Sequence, residues 1–182
     1  MTERLVIAGF GGQGIMFLGK LIAWAAMREN KFVTFLPAYG AEVRGGTSHC
    51  SIVISDKEIS SPAIAKFDTL LAMNSPSLEK FIFIAAKGAD VFINTSMVDD
   101  IAQAQGINFH LIKFSDIASK LGNIRSANMV ALGAYLTRKK ILSIENIVKM
   151  LPEAFKNNPE LVRLNEKAIR EGIRIADSKN SA

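Results

Sequence analysis

Leu5-Val6-Ile7-Ala8-Gly9-Phe10-Gly11-Gly12-Gln13-Gly14-Ile15 is the stretch on which the fold turns. Four apolar residues run into glycines, and from Ile15 to Arg28 apolar residues recur at Ile15, Leu18, Ile22, Ala25 and Ala26, the spacing of one helix face. The order is buried strand, glycine turn, amphipathic helix. Phe32-Val33-Thr34-Phe35-Leu36 is β-branched and aromatic and stops at Pro37, which predicts a second strand, parallel to the first because a helix connects them.

Outward from this unit, the small-residue segment 38–48 predicts an ordered loop. Cys50 to Ile54 and Glu58-Ile59, joined through Ser55-Asp56-Lys57, predict a small antiparallel hairpin. A strand is expected over 68–73. Ser75-Pro76 should open a helix, as N-cap and first-position proline, that closes at Gly88. Strand 90–94, helix 98–105, strand 107–114 and a short helix 115–121 continue the alternation. Beyond Ser126 the pattern is helical, over 128–140, 144–155 and 159–176, with Ser143 and Asn158 capping the last two. The whole predicts an α/β fold in a single domain over 1–182: a three-layer open sheet, mostly parallel and Rossmann-like, with a small antiparallel hairpin and C-terminal helices.

Composition agrees. A chain of 182 residues fits one domain at roughly 150 residues per domain, and 49% apolar with 21% charged residues can build a core. Cys50 is the lone cysteine, so the chain by itself can form neither a disulfide nor a four-thiolate zinc or iron–sulfur cage, and a reducing, cytoplasmic setting is expected. The apolar start is too short and too soon broken by glycine for a signal peptide, and Lys87 splits the longest apolar region, 81–93, so no membrane association is expected. A net charge of +5 is spread along the chain without a basic block. Arg138-Lys139-Lys140 sits where cations complement a helix C-terminus, and no nucleic-acid partner is expected.

Gly9-Phe10-Gly11-Gly12-Gln13-Gly14 fits G-x-G-x-x-G between a strand and a helix, where backbone N–H groups and the helix dipole converge on a place suited to an anion. The same glycines also serve close packing. A nicotinamide site further demands an acid at the end of the second strand, and that strand ends Phe35-Leu36-Pro37; a P-loop demands Gly-Lys-Ser/Thr, and Gly14 precedes Ile15-Met16. Gln13 can hydrogen-bond a phosphate, a carbonyl or a neighbouring chain, or simply fasten the loop. The second loop carries Tyr39 and, in Arg44-Gly45-Gly46, an unobstructed guanidinium fork suited to carboxylate or phosphate, or to a local partner such as Glu42. Tyr39 can stack on a flat ligand or pack at an interface. Following the second strand, this loop belongs at the same carboxyl edge as the first.

Other chemistry is thin. His49 and Cys50 adjoin on a strand and so point to opposite faces, which argues against a dyad, and His110 reads as an edge or core histidine. No metal-ligand spacing occurs, Met27, Met73, Met97, Met129 and Met150 read as core filler, and Asp99-Asp100 reads as the acidic start of a helix.

Gly9 to Gly14 together with Tyr39-Gly40-Ala41-Glu42-Val43-Arg44-Gly45-Gly46 closely resembles the gamma subunit, or gamma domain, of the 2-oxoacid:ferredoxin (acceptor) oxidoreductases. The resemblance runs on through Ile54 to Pro62, Asp68 to Asn74 and Asn128 to Gly133, covering most of residues 4–140, with Ala38 where relatives often have serine. It implies a non-catalytic subunit, most like that of the 2-oxoglutarate enzyme, in a complex that converts a 2-oxoacid and coenzyme A to acyl-coenzyme A and CO2 while reducing ferredoxin or a flavodoxin-type acceptor. By the same resemblance, alpha, beta and ferredoxin-like delta subunits are partners, and thiamine diphosphate, magnesium and iron–sulfur clusters lie in them. This chain would bind no cofactor tightly. Coenzyme A would approach the glycine loops at Gly9, Gly11, Gly12, Gln13, Gly14, Tyr39, Arg44, Gly45 and Gly46. The residues agree with a supporting role, since no Gly-Asp-Gly with a downstream asparagine, the thiamine-magnesium arrangement, is present. The alternatives are an independent NAD(P)-binding reductase and an assembly module with empty loops.

Overall fold

In the computed structural model, which describes residues 1–38, 47–101 and 104–180, the N-terminal apolar run forms β1 (Thr2–Phe10), with Leu5 to Ala8 shut away from solvent. The glycine turn leads into α1 (Ile15–Arg28), whose buried residues include Ile15, Leu18, Ile22, Ala25 and Ala26, the face read from the sequence. Then come β2 (Phe32–Ala38), β3 (Thr47–Ser55), β4 (Phe67–Ala72), α2 (Ser75–Phe81), a single 3-10 turn (Ile82–Ile84), β5 (Ala85–Asn94) and β6 (Asn108–Ile112). These strands form one sheet in the order β2-β3-β1-β4-β5-β6. The pairs β1/β4, β4/β5 and β5/β6 are parallel, and β3 is antiparallel to both β1 and β2.

The sheet is covered on two faces. Ile7 pairs with Cys50, and on that side Gly19 of α1 comes so close to Cys50 and Phe35 that a Cβ would lie 2.5 Å from the thiol sulfur. Val6, Ala8, Leu70, Ala72, Val91 and Ile93 face the other way and pack with Leu78 and Phe81 of α2. Helix, sheet, helix is the three-layer α/β arrangement expected, mostly parallel.

Four local expectations need correction. β2 runs in the direction of β1 but is not its neighbour, because β3 lies between them. The expected hairpin partner, Glu58-Ile59, is not strand at all. Cys50, Ile52 and Ile54 are fully buried and Val53 is 4% exposed, so both faces of β3 are covered, the environment of an inner strand. Second, the residue capping α2 is Asn74, whose carboxamide oxygen accepts from the Ser77 N–H at 2.9 Å, and Ser75-Pro76 are already inside the helix. Third, that helix ends at Phe81 rather than Gly88: the stiff pair Ile82 and Ile84 forms a 3-10 turn, and the chain is extended from Ala85, with Gly88 at φ +80° donating to the Gly106 carbonyl. Fourth, the described part of 98–105 carries no helix, so Asp99-Asp100 opens none; residues 102 and 103 lie outside the described residues.

The chain divides into two compact units, Met1–Lys113, which holds the sheet, and Phe114–Ala182. The second is helical: α3 (Phe114–Lys120), a 3-10 turn (Ile124–Ser126), α4 (Ala127–Lys139), α5 (Ile144–Ala154) and α6 (Pro159–Asn180). Its caps are those read from the sequence, since Ser143 Oγ accepts from the Asn146 N–H and Asn158 Oδ1 from the Glu160 and Leu161 N–H groups. α4 and α6 touch backbone to backbone at Gly133 and Gly172.

Candidate functional site

Every parallel strand delivers its C-terminus to one edge of the sheet, and the loop from Gly9 to Gly14 lies there at the end of β1. Gly12 (φ +92°) and Gly14 (φ +72°) adopt left-handed backbone that a side chain would strain, which bends the strand sharply into α1. Gly11 and Gly12 are exposed, and a Cβ built on either would meet no atom within 4 Å. Gly9 is the reverse: a Cβ there would stand 2.5 Å from Gln13 Oε1, 2.8 Å from Ile15 Cδ1 and 3.0 Å from Met73 Cβ. The motif thus contains a packing glycine facing in and two open glycines facing out. α1 begins without a side-chain cap and without an acid in its first turn, so its positive end is not neutralised by a side chain of its own. Such a strand-glycine-helix turn has the geometry that suits an anionic or carbonyl oxygen.

Gln13 points inward. Its Oε1 accepts from the Phe10 N–H at 2.6 Å and from Asn74 Nδ2 at 3.3 Å, and its Nε2 donates to the Met73 carbonyl at 3.4 Å. Of the roles open to it in the sequence, fastening the loop is the one the geometry shows. Asn94, buried at the end of β5, donates to the same Met73 carbonyl at 3.3 Å. Sequence reasoning missed Asn74 and Asn94 as members of this edge; each is the polar residue directly after an apolar strand run, a usable signal.

Tyr39, Arg44, Gly45 and Gly46 lie outside the described residues. Their flanks are placed: Ala38 pairs with His49 and Thr47 with Phe10, so both ends of that segment stand at the edge beside the glycine loop. The two loops therefore start from one edge, as expected.

The insertion of β3 also bears on dinucleotide binding. The strand beside β1 at Gly9 and Phe10 contributes Ser48 and Thr47, and it runs antiparallel, so among the described residues no strand end with an acid stands there to read a ribose diol. His49 and Cys50 do point apart. Cys50 Sγ lies 3.8 Å from the Ile15 carbonyl on the α1 side, and burial pushes its thiol up to about 12. The His49 ring sits 4.8 Å from Phe81 on the α2 side, and burial, then the charge of Lys80, hold its pKa below the usual value. His110, on edge strand β6, contacts Asp90 at 2.8 Å and stacks on Phe92. Among the described residues no cluster of three His, Cys, Asp or Glu side chains could hold a metal, and no helix is long and apolar enough to cross a membrane.

The model of the pyruvate ferredoxin/flavodoxin oxidoreductase family matches residues 4–175. The chain belongs to this family. It is 34% identical over 177 residues to the ketoisovalerate oxidoreductase subunit VorA of Methanothermobacter thermautotrophicus, covering 95% of this chain but 36% of that one. It is 31% identical to the 2-oxoglutarate synthase subunit KorC of Methanocaldococcus jannaschii, covering 97% of this chain and 95% of the relative. The chain thus spans about a third of the length of VorA-type relatives and nearly all of KorC. Two solved structures share the fold of family members at 97% coverage of this chain. One is the 2-oxoglutarate:ferredoxin oxidoreductase of Magnetococcus marinus with 2-oxoglutarate, coenzyme A and succinyl-CoA bound (TM-score 0.89, 26% identity, 31% of that chain). The other is a keto/oxoacid ferredoxin oxidoreductase gamma subunit from Geobacter sulfurreducens (TM-score 0.82, 27% identity, 99% of that chain).

Proposed function

We propose that residues 1–182 work as one gamma-type domain, the gamma subunit of a cytoplasmic, multi-subunit 2-oxoacid:ferredoxin oxidoreductase that turns a 2-oxoacid and coenzyme A into acyl-coenzyme A, CO2 and reduced acceptor. The observation that carries this reading is the glycine loop, open at Gly11 and Gly12 and leading into the start of α1, on a chain belonging to this family. Thiamine diphosphate, magnesium and iron–sulfur clusters belong to alpha, beta and ferredoxin-like delta partners, because this chain supplies neither the cysteines nor the carboxylate motif to hold them. Its own task is to present backbone N–H groups, and Arg44, to phosphate or carbonyl oxygens of coenzyme A. The 2-oxoglutarate reaction is favoured by relatives of matching length named 2-oxoglutarate synthase subunits; ketoisovalerate is the second reading, favoured by the higher identity to VorA.

The test is kinetic. In the purified complex, Gly12→Val and Arg44→Ala should raise the KM for coenzyme A or loosen assembly. Unchanged kinetics and assembly for both would sink the reading and leave an assembly module with empty loops. The isolated chain should give a flat titration with millimolar NADH or NADPH, and saturable binding would restore the dinucleotide alternative.

A further inference from the structure

Three carboxamides, at the ends of three different strands on the carboxyl edge, share one hydrogen-bond network, and two of them meet at one backbone carbonyl. Gln13 follows β1, Asn74 follows β4 and Asn94 ends β5. The Met73 carbonyl accepts from both Gln13 Nε2 and Asn94 Nδ2, which uses its two lone pairs. Gln13 Oε1 accepts from the Phe10 N–H and from Asn74 Nδ2, which fills it too. Asn74 Oδ1 in turn accepts from the Ser77 N–H at the start of α2. Each amide orientation is dictated by a backbone group that can act in one sense alone: the N–H groups of Phe10 and Ser77 need oxygens, and the Met73 carbonyl needs N–H donors. Reversing any one amide would set donor against donor or oxygen against oxygen. The 2.6 Å contact to Phe10 is the tight member, the others being 3.3 to 3.4 Å.

We propose that Gln13 is a positioning residue of this site, one that touches no ligand itself: with Asn74 and Asn94 it forms a carboxamide latch that ties the glycine loop to the ends of β4 and β5 and fixes the Phe10–Gly12 backbone with its open side outward. Three features follow from the latch. Gly9 must lack a side chain, because its Cβ would occupy the space of Gln13 Oε1. The Phe10 N–H is consumed internally, so the donors left to a ligand are further along the loop. With Oε1 filled, Gln13 has no acceptor to offer a ligand, and the specificity of the loop is that of backbone N–H donors for an oxygen-rich, anionic or carbonyl group. Preorganised donors bind without a cost of ordering, so loosening the loop weakens ligand binding before it touches chemistry carried elsewhere.

The inference rests on the proposal that the loop serves coenzyme A, and the experiment separates the two. In the purified complex, Gln13→Met keeps the length and removes the three hydrogen bonds of the Gln13 side chain, Gln13→Glu keeps the acceptor for Phe10 and Asn74 and loses the donor to Met73, and Gly9→Ala pushes on the latch from the far side. Hydrogen exchange of the amides of residues 10–14 reports the latch, and steady-state kinetics with coenzyme A reports its use. We expect Gln13→Met and Gly9→Ala to speed exchange roughly five- to tenfold, the size of one lost hydrogen bond, and to raise the KM for coenzyme A by a similar factor with kcat nearly unchanged, Gln13→Glu falling between them and the native protein. Unchanged exchange in Gln13→Met overturns the latch whatever the loop binds. Faster exchange with an unmoved KM overturns the coenzyme A reading, and with it the positioning role. Should Gln13→Met fail to fold, Gln13→Glu carries the test alone: it must show both intermediate exchange and intermediate KM, and native values of either overturn the proposal.

Discussion

Gly9, Gly11 and Gly12 share a motif and differ in what surrounds them, so their alanine variants should separate cleanly. At Gly9 the new methyl must displace Gln13, Ile15 and Met73, an overpacking that costs about 1–3 kcal/mol. At Gly12 there is room but φ is +92°, a strain of about 1–2 kcal/mol for an L-residue. At Gly11 neither applies, and the change should stay within about 0.5 kcal/mol. Urea unfolding of the three variants should give that order, and an unstable Gly11→Ala would mean the outer side of the loop is not open. His49 is a second single-residue case. Burial and Lys80 hold its pKa below 6.5, so the folded protein stays neutral there while the unfolded chain protonates. Stability from this group is therefore fully present above pH 6.5 and drains away as pH falls from 6.5 toward the folded-state value. NMR titration should place the His49 transition below 6.5, and Lys80→Gln should move it up part of the way; a transition above 6.5 would contradict the burial.

At the scale of elements, β3 and the α4–α6 contact show what one sequence does and does not disclose. The apolar runs of β1, β2 and β4, the face of α1 and the caps Ser143 and Asn158 were legible because each is written in residues near one another along the chain. That Cys50 to Ile54 forms a strand was equally legible; that it slides between β1 and β2 was not, because the partner of a strand is a long-range choice that local alternation does not encode. The end of α2 is hidden from local pattern for a related reason: Phe81 to Ala86 has enough apolar residues for either helix or strand, and pairing of Ala85 with Phe67 of β4 decides for strand. Between α4 and α6, the Gly133 Cβ position collides with the Ile169 carbonyl, and that of Gly172 with the Val130 carbonyl. Nothing in the helical pattern announces so close an approach, since glycine within a helix reads only as a weakness worth about 1 kcal/mol. Here alanine should reverse its usual sign: despite the propensity gain, Gly133→Ala and Gly172→Ala should each destabilise the chain by about 1–3 kcal/mol net. A raised melting temperature in either variant would show that the helices have slack at that crossing.

For the whole molecule, the candidate site was half legible. Its glycines announced themselves by spacing, whereas the inward turn of Gln13 depends on Met73, Asn74 and Asn94, which reach it from distant parts of the chain. Length carries the remaining argument. Family members differ in how this domain is delivered: VorA holds it within a polypeptide of which it forms 36%, and KorC holds little else, the match covering 95% of it. A domain that is covalently joined to a longer polypeptide in one relative and makes up nearly all of another must, in the second case, hold any place in a complex by surface contact alone. Residues 1–182 contain one cysteine and no thiamine-magnesium motif, so on the proposed function the groups that carry the redox chemistry lie outside these residues. Anaerobic affinity purification of this chain from its native cells should therefore bring down chains bearing thiamine diphosphate and iron, with 2-oxoacid-dependent reduction of an acceptor, and the 2-oxoacid that supports the fastest reduction identifies the substrate. Raising the salt concentration during the wash should release the partners if contact is mainly ionic and spare them if apolar surface dominates. A chain that elutes alone and colourless, under conditions that keep other complexes of these cells intact, would instead mean that it works without the redox machinery its family carries.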